Sequence, residues 1–121
     1  MSQEPKVWPT ELRVESDKKT LHVSFDNGEV HEYSAEFLRV CSPSAEVQGH
    51  GPGQRKTVPG KRNVEIMKIE PVGNYAVKIH FDDMHNSGIY TWAYFLELAH
   101  QRDDLWKRYL AELDEKSLGR G

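Results

Sequence analysis

Residues 21–33 read LHVSFDNGEVHEY, and this stretch decides the fold class. Apolar and polar side chains alternate from Leu21 to Phe25, which is the period of two expected of a strand with one buried face. The Asn27-Gly28 pair that follows predicts a tight hairpin turn, because a type I′ turn needs positive φ at both central residues. Residues 30–33 should therefore return as an antiparallel partner strand.

The rest of the chain also has the side-chain patterns of strands and helices. Strand-like patterns recur at residues 12–14, 64–69, 75–81 and 89–92. Ser34 is suited to cap a short helical turn after the hairpin. From Trp92 onward the period changes to 3.6, which predicts two helices with a break near residues 101–103. The expected fold class is α+β: an antiparallel β-rich domain with short mid-chain helical turns and C-terminal helices.

Two breaks in the alternation predict irregular strands. Val30 and Tyr33 lie three positions apart and cannot share a face of a regular strand, so we expect an irregularity near Glu32. The apolar phase also changes between Ile66 and Met67, which fits either a bulge or a strand buried on both faces.

Length and composition indicate one ordinary globular domain. A length of 121 residues is close to the commonest domain size, so we expect a single domain, at residues 9–117. We expect a flexible N-terminal arm at residues 1–8 and a disordered tail at 118–121. The net charge of -3 gives no reason to expect nucleic acid as a partner. A single cysteine suits a reducing compartment, and no apolar run approaches the roughly 20 residues of a membrane span. We therefore expect a cytoplasmic protein without membrane association.

Residues 48–62 differ in composition from the rest of the chain. This stretch, called the basic loop below, holds four Gly, two Pro, four Lys or Arg and no acidic residue. Fifteen residues is long for a structureless connection in a compact domain, and such loops are usually functional or disordered. We interpret the basic loop as mobile, and its four positive charges suit an acidic protein surface, a phosphate-bearing ligand or nucleic acid. The predicted binding residues are His50, Gly51, Gly53, Arg55, Lys56, Lys61 and Arg62.

Other residues suggest chemistry, but each has a plainer explanation. His80 and Asp82 match the first part of the facial triad of a non-haem iron oxygenase, yet a second histidine ligand is needed. A metal-binding cluster of His22, His31 and His80 is not required by their spacing. Cys41 lacks any local signature of the base and oxyanion donors that a catalytic thiol needs. We interpret these residues as ordinary surface or packed side chains.

Three motifs together carry a resemblance to a known family. They are WPTEL at residues 8–12, LRVCSPSAE at 38–46 and FDDMHNSGIYTW at 81–92. Over roughly residues 8–110 the chain resembles the γ-butyrobetaine hydroxylase-like N-terminal domain, which also has stand-alone bacterial versions without an agreed activity. The resemblance implies a β-rich α+β domain. In the hydroxylases that domain contributes to dimerisation, so the resemblance is compatible with a homodimer. There it precedes a separate iron- and 2-oxoglutarate-dependent catalytic domain. The resemblance does not extend to that catalytic domain, so it does not imply hydroxylase activity for this chain.

The resemblance also implies a structural zinc site made of three cysteines and one histidine. The three cysteine positions correspond to Ser42, Ser44 and Val47. The histidine ligand corresponds to His85, which is present. Because tetrahedral zinc sites are usually completed by Cys or His, we predict no cofactor here. A zinc or iron site at His85 completed by Cys41 and His50 is the alternative.

These observations favour a non-catalytic accessory or interaction module that binds a protein partner through the basic loop. The partner itself is unknown. Replacing Arg55, Lys56, Lys61 and Arg62 by Ser should abolish partner binding with little change in thermal stability. The alternative is a metal or iron–sulfur handling domain with a degenerate metal site. A cryptic iron-dependent oxygenase is the least favoured hypothesis.

Overall fold

The computed structural model describes residues 7–49 and 53–121, and within these ranges it has two three-stranded antiparallel sheets and four helices. The first sheet has the order β1-β2-β3, with β1 at Pro9–Val14, β2 at Thr20–Phe25 and β3 at Val30–Ser34. The second has the order β4-β5-β6, with β4 at Ile66–Val72, β5 at Ala76–Phe81 and β6 at Ile89–Thr91. The predicted α+β class is confirmed.

The helices lie in the two parts of the chain where the sequence predicted them, between the sheets and after the last strand. Helices α1 and α2 span Ala35–Val40 and Ala45–Gln48 between the sheets, and α3 and α4 span Trp92–His100 and Arg102–Glu115 after them. The Ser34 hydroxyl accepts a hydrogen bond from the Phe37 amide at 3.0 Å, which confirms it as the cap of α1. Gln101 alone separates α3 from α4, so the predicted helix break is confirmed.

One of the two predicted strand irregularities is wrong and the other is confirmed. Strand β3 pairs with β2 in an unbroken register, because Val30 simply faces solvent while Tyr33 faces the core. No bulge near Glu32 is needed. The β4–β5 register does shift between Ile66 and Lys68, where the apolar phase changes.

A single large core joins both sheets to α1 and α3. Its largest fully buried side chains include Tyr33, Tyr90 and Phe95. The Tyr33 hydroxyl donates to the Phe95 carbonyl at 2.7 Å, and the Tyr90 hydroxyl donates to the Leu38 carbonyl at 2.5 Å. Each buried phenol thereby avoids the cost of an unpaired polar group. A smaller cluster of Val40, Tyr109 and Leu113 holds α4 against the end of α1.

The last residues, for which the sequence indicated a disordered tail, lie against this fold in the structure. The Gly119 and Arg120 carbonyls accept hydrogen bonds from the backbone amides of Gly60 and Arg62, each at 2.9 Å. The Arg120 guanidinium donates two hydrogen bonds to the buried carboxylate of Glu36. The tail therefore closes over α1 and the basic loop. None of the helices in the described ranges has the length and hydropathy needed to cross a membrane.

Candidate functional site

The described part of the basic loop lies against α4. The Arg55 guanidinium forms an ion pair with Glu112 of that helix, and the Thr57 hydroxyl donates to the same carboxylate. The Tyr109 hydroxyl donates to the Val58 carbonyl at 2.6 Å, and the Lys56 amide donates to the Val47 carbonyl at 2.7 Å. His50 and Gly51, two of the predicted binding residues, lie outside the described residues.

The four cations of the basic loop fall into two pairs. The side chains of Arg55 and Lys61 are half-buried and engaged, since Lys61 Nζ lies 2.7 Å from Asp83 Oδ2. Lys56 and Arg62 are exposed, and their side chains have no hydrogen bond or ion pair to any other described residue. The expectation of unchanged stability therefore applies to Lys56 and Arg62 and not to the other two.

A cleft of about 290 Å³ opens beside the basic loop, where α1, α2, α3 and α4 meet. Gln48 and Arg55 contribute its loop side, and Arg108 of α4 lines it as well. Cys41 and Tyr94 form part of the opposite lining, and the Tyr94 hydroxyl donates to the Cys41 carbonyl at 2.5 Å. The lining of the cleft thus combines apolar side chains with two guanidinium groups and the carboxylate of Glu97.

The Cys41 thiol, which lines this cleft, is not activated as a nucleophile. Burial raises the pKa of Cys41 to about 11, so the thiol keeps its proton near neutral pH. A catalytic or metal-binding cysteine needs the thiolate. In the described parts of the chain, no set of three His, Cys, Asp or Glu ligands that could share an ion includes Cys41 or His85.

Of the four positions for which the resemblance implies zinc ligands, Ser42 and His85 are in direct contact, and the other two are a serine and a valine. Ser42 Oγ lies 2.8 Å from His85 Nε2, and both side chains are buried. The Ser44 hydroxyl lies 2.7 Å from the Ser87 hydroxyl, while Val47 packs as a buried apolar residue. Neutral serine hydroxyls and a valine are poor zinc ligands. These residues do not fit the metal, and a hydrogen-bonded network holds this corner instead.

Close packing supports the same network. Gly88 is buried, and a Cβ atom built there would lie 2.5 Å from Ser42 Oγ. Only glycine leaves room for the Ser42 side chain to reach His85. The Ser87 hydroxyl in turn donates to the Glu46 carboxylate at 2.6 Å, so the network reaches the surface.

His85 should titrate below the ordinary range of histidine. Burial lowers its pKa, and the nearby positive charges of Arg39 and Lys61 lower it further against the opposing effect of Glu46 and Asp83. Folding therefore favours the neutral imidazole, and this contribution to stability is present above the unfolded-state pKa and is lost as pH falls. An NMR titration of the imidazole should place its pKa below about 6.5. A midpoint at or above that value would contradict the assignment.

The oxygenase-like motif forms no triad in the structure. His80 Nε2 lies 2.9 Å from Glu70 Oε1 across the β4–β5 pair, and Asp82 Oδ1 accepts a hydrogen bond from the Glu65 amide at 3.0 Å. Within the described ranges, neither residue belongs to a metal-competent ligand group. The local hydrogen bonds account for both side chains.

His22, His31 and His80 do not form one cluster, because each lies next to a different carboxylate. His22 Nε2 lies 2.7 Å from Glu15, while His80 pairs with Glu70. His31 Nε2 lies 2.7 Å from Glu29 Oε1, and the same oxygen lies 2.8 Å from His100 Nε2. This second neighbour of His31 was not predicted from the sequence. No local signal could have revealed it, because His100 lies 69 positions later, a separation that follows from the two residue numbers.

Comparisons with known proteins address the family and the fold. The family model described as "Gamma-butyrobetaine hydroxylase-like, N-terminal" matches residues 12–96. Two protein structures solved by NMR in solution are each 45% identical to this chain; they have TM-scores of 0.83 and 0.79, with 99% and 93% of this chain and 89% of each solved chain covered. No curated protein matches the chain.

A crystal structure is also similar. It is that of a protein of unknown function from Acidithiobacillus ferrooxidans ATCC 23270, described as belonging to the DUF971 family. It is 35% identical, with a TM-score of 0.62, and the match covers 75% of this chain and 91% of that one. These likenesses agree with the antiparallel sheets and C-terminal helices described above.

Proposed function

The chain belongs to the γ-butyrobetaine hydroxylase-like N-terminal family, and from that premise we propose that it is a non-catalytic interaction module that binds an acidic surface of a protein partner through the basic loop. The similar crystal structure from Acidithiobacillus ferrooxidans is that of a small protein of unknown function. The oxygenase part of the hydroxylases is not among these 121 residues.

The observation that carries the proposal is that two cations of the basic loop are paired with carboxylates of the fold while the other two are exposed. Arg55 and Lys61 bind carboxylates of the fold, which holds the loop at residues 55 and 61 against α4 and against the turn after β5. Lys56 and Arg62, which directly follow these two residues, are left exposed. A surface that is already ordered loses less conformational entropy on binding than a flexible one. The structure of the loop therefore supports a preformed cationic contact surface.

The adjoining cleft supports the same choice of partner. Arg55 and Arg108 line it together with Glu97, and because Arg55 is held by Glu112, the exposed Arg108 guanidinium is the one suited to bidentate contacts with a partner's carboxylate. Its lining also includes Val40, Leu98 and Leu105, which suit an apolar side chain of a bound segment. An acidic peptide that carries an apolar anchor matches both features. The mild negative charge of the whole chain argues against nucleic acid as the general partner.

Replacing Lys56 and Arg62 together by Ser should remove binding without affecting folding. In an NMR titration of the isotope-labelled protein with an oligoglutamate peptide, the amides near both residues should shift in the wild type and stay unchanged in the variant. The thermal midpoint should change by no more than about 2 °C, because both side chains are exposed and neither has a hydrogen bond or ion pair to another described residue.

Two controls make the experiment specific. The double variant Arg13→Ser and Lys107→Ser removes one Arg and one Lys from exposed positions on β1 and α4, and it should bind the peptide like the wild type. Arg55→Ser should instead cost about 1 kcal/mol of stability, because its partner Glu112 is only partly exposed. Peptide-induced shifts away from the basic loop, or tighter binding of an oligonucleotide at the same salt concentration, would refute the proposal.

The other hypotheses gain no support from the site. Metal or iron–sulfur handling at His85 would need soft or imidazole ligands, whereas Ser42 and Ser44 are its neighbours in the network. The His50 contribution to that alternative lies outside the described residues. The oxygenase hypothesis would need a second histidine beside His80 and Asp82, and the described residues supply none there.

A further inference from the structure

We propose that Glu29, His31 and His100 form a binding site for one divalent transition-metal ion, at the junction between the first sheet and α3. The site contains no residue of the basic loop or of the corner around His85. It therefore stands or fails independently of the proposed function.

The three ligand atoms converge on one point. Both imidazole Nε2 atoms lie close to the same oxygen, Glu29 Oε1, at 2.7 Å for His31 and 2.8 Å for His100. One potential ligand atom from each of the three residues lies within 4.8 Å of the other two. Metal–ligand bonds of about 2.0–2.2 Å place neighbouring ligand atoms roughly 3–3.5 Å apart, so an ion needs only small movements of these side chains.

The fold positions each ligand separately. Glu29 follows the hairpin turn, where its amide donates to Asn27 Oδ1 at 2.9 Å and its second carboxylate oxygen accepts from the Asn27 side chain at 2.5 Å. The His31 ring lies at the edge of the core, with its centroid 6.2 Å from that of Phe25 and 6.5 Å from that of Tyr33. The Asn27 hydrogen bonds hold the Glu29 carboxylate and the ring contacts hold the His31 imidazole, so both ligands are oriented before an ion arrives.

His100 reaches the hairpin because α3 packs on β3. Tyr33 donates its hydroxyl hydrogen bond to Phe95 in the middle of that helix, which fixes the helix over the strand. His100 is the last residue of α3, and its ring meets that of His31 edge-on at 5.8 Å between centroids. A cation at this position also interacts favourably with the negative end of the helix dipole.

The ligand set specifies the class of ion. Two neutral imidazoles and one carboxylate suit zinc, iron, nickel and copper, whereas calcium and magnesium prefer oxygen ligands. Glu29 supplies the negative charge of the set, because a glutamate carboxylate is ionised at neutral pH. His100 is 57% exposed at its side chain, which leaves coordination positions open to water or to a group from a partner.

A second group on the opposite face of the first sheet is a weaker candidate. His22 is its only imidazole, and the His22–Glu32 distance of 3.9 Å is long beside the 2.7 Å from His22 to Glu15. One imidazole with two carboxylates is a poorer match to transition metals than two imidazoles. His22 therefore provides an internal comparison for the test.

Isothermal titration of the chelator-treated full chain with zinc chloride at pH 7.5 should show one ion bound per chain. His100→Ala should weaken binding by more than about tenfold. Removing a group that only hydrogen-bonds to a metal ligand already lowers metal affinity about 10–100-fold, and His100 would itself bind the ion. His31→Ala should have the same effect. Binding should also weaken as the pH is lowered, since the imidazoles must be neutral to bind the ion.

His80→Ala is the matched control, because His80 lies 2.9 Å from a single carboxylate and is exposed to a similar extent as His31. It should bind zinc like the wild type. Imidazole NMR signals of His31 and His100 should shift on adding zinc in the wild type, and circular dichroism should confirm that the variants are folded. Absence of stoichiometric binding would overturn the proposal. So would binding that survives both His31→Ala and His100→Ala, or binding that is lost in His22→Ala alone.

Discussion

Replacing Phe95 with Ala should lower the free energy of unfolding by about 4 kcal/mol, the largest single effect that we expect in this protein. Phe95 is fully buried in α3. Its ring meets that of Tyr33 at 5.4 Å between centroids and stacks on Tyr90 at 5.6 Å, so it joins both sheets to the helix. Truncation removes the transfer free energy of the ring and leaves a cavity where three elements meet.

Urea unfolding followed by circular dichroism measures this effect. Because typical domains are stable by only about 5–15 kcal/mol, Phe95→Ala can fall close to the limit of folding, and Phe95→Leu provides a milder variant with an expected loss of about 1–2 kcal/mol. Leu110→Ala is the control, since Leu110 is 39% exposed on α4 and should cost less than about 1 kcal/mol. Equal losses for Phe95→Ala and Leu110→Ala would contradict the position of α3 in the core.

Replacing Arg120 with Ala should cost about 3 kcal/mol, although the residue is next to last in the chain. Its guanidinium donates to both carboxylate oxygens of Glu36, at 2.7 and 2.9 Å. Glu36 is only 6% exposed, so the variant would leave a buried charge without its partner. Arg120 also lies over the Trp106 ring, 5.2 Å from its centroid, and this cation–π contact would be lost as well.

A double-mutant cycle separates the ion pair from the rest of the contact. Glu36→Gln removes the charge, so adding Arg120→Ala to that background should cost much less than it does in the wild type. Arg102→Ala is a suitable comparison, because its guanidinium reaches the Glu32 carbonyl at an exposed position and its loss should cost under about 1 kcal/mol. A free tail would predict no change on Arg120→Ala, and that result would refute the packed arrangement.

The secondary structure and family of this protein followed from local sequence patterns. The alternation at residues 21–25 and the Asn27-Gly28 turn correctly predicted the β2–β3 hairpin, because the two-residue side-chain period is a property of the strand itself. The 3.6 period after Trp92 likewise predicted α3 and α4 with their break. The predicted irregularity near Glu32 was wrong, because it assumed that Val30 had to be buried.

The sequence also determined the chemistry available at the corner that corresponds to the family's zinc site. The resemblance implies that Ser42, Ser44 and Val47 stand at the family's cysteine positions, and the sequence shows that none of them is cysteine. The contacts of these side chains depend on distance, and only the tertiary structure shows the Ser42 hydroxyl 2.8 Å from His85. The same holds for the basic loop, whose composition was evident from the sequence but whose ion pairs with α4 and Asp83 were not.

The sequence by itself thus determined the strands, the helices and the family, since each depends on residue type or on neighbours a few positions apart. The tertiary structure alone decided which distant charges meet. Glu36 and Arg120 are 84 positions apart, and Glu29 and His100 are 71 apart. Local periodicity contains no information about such pairs, because their distance is set by how α3, the last residues and the first sheet pack together.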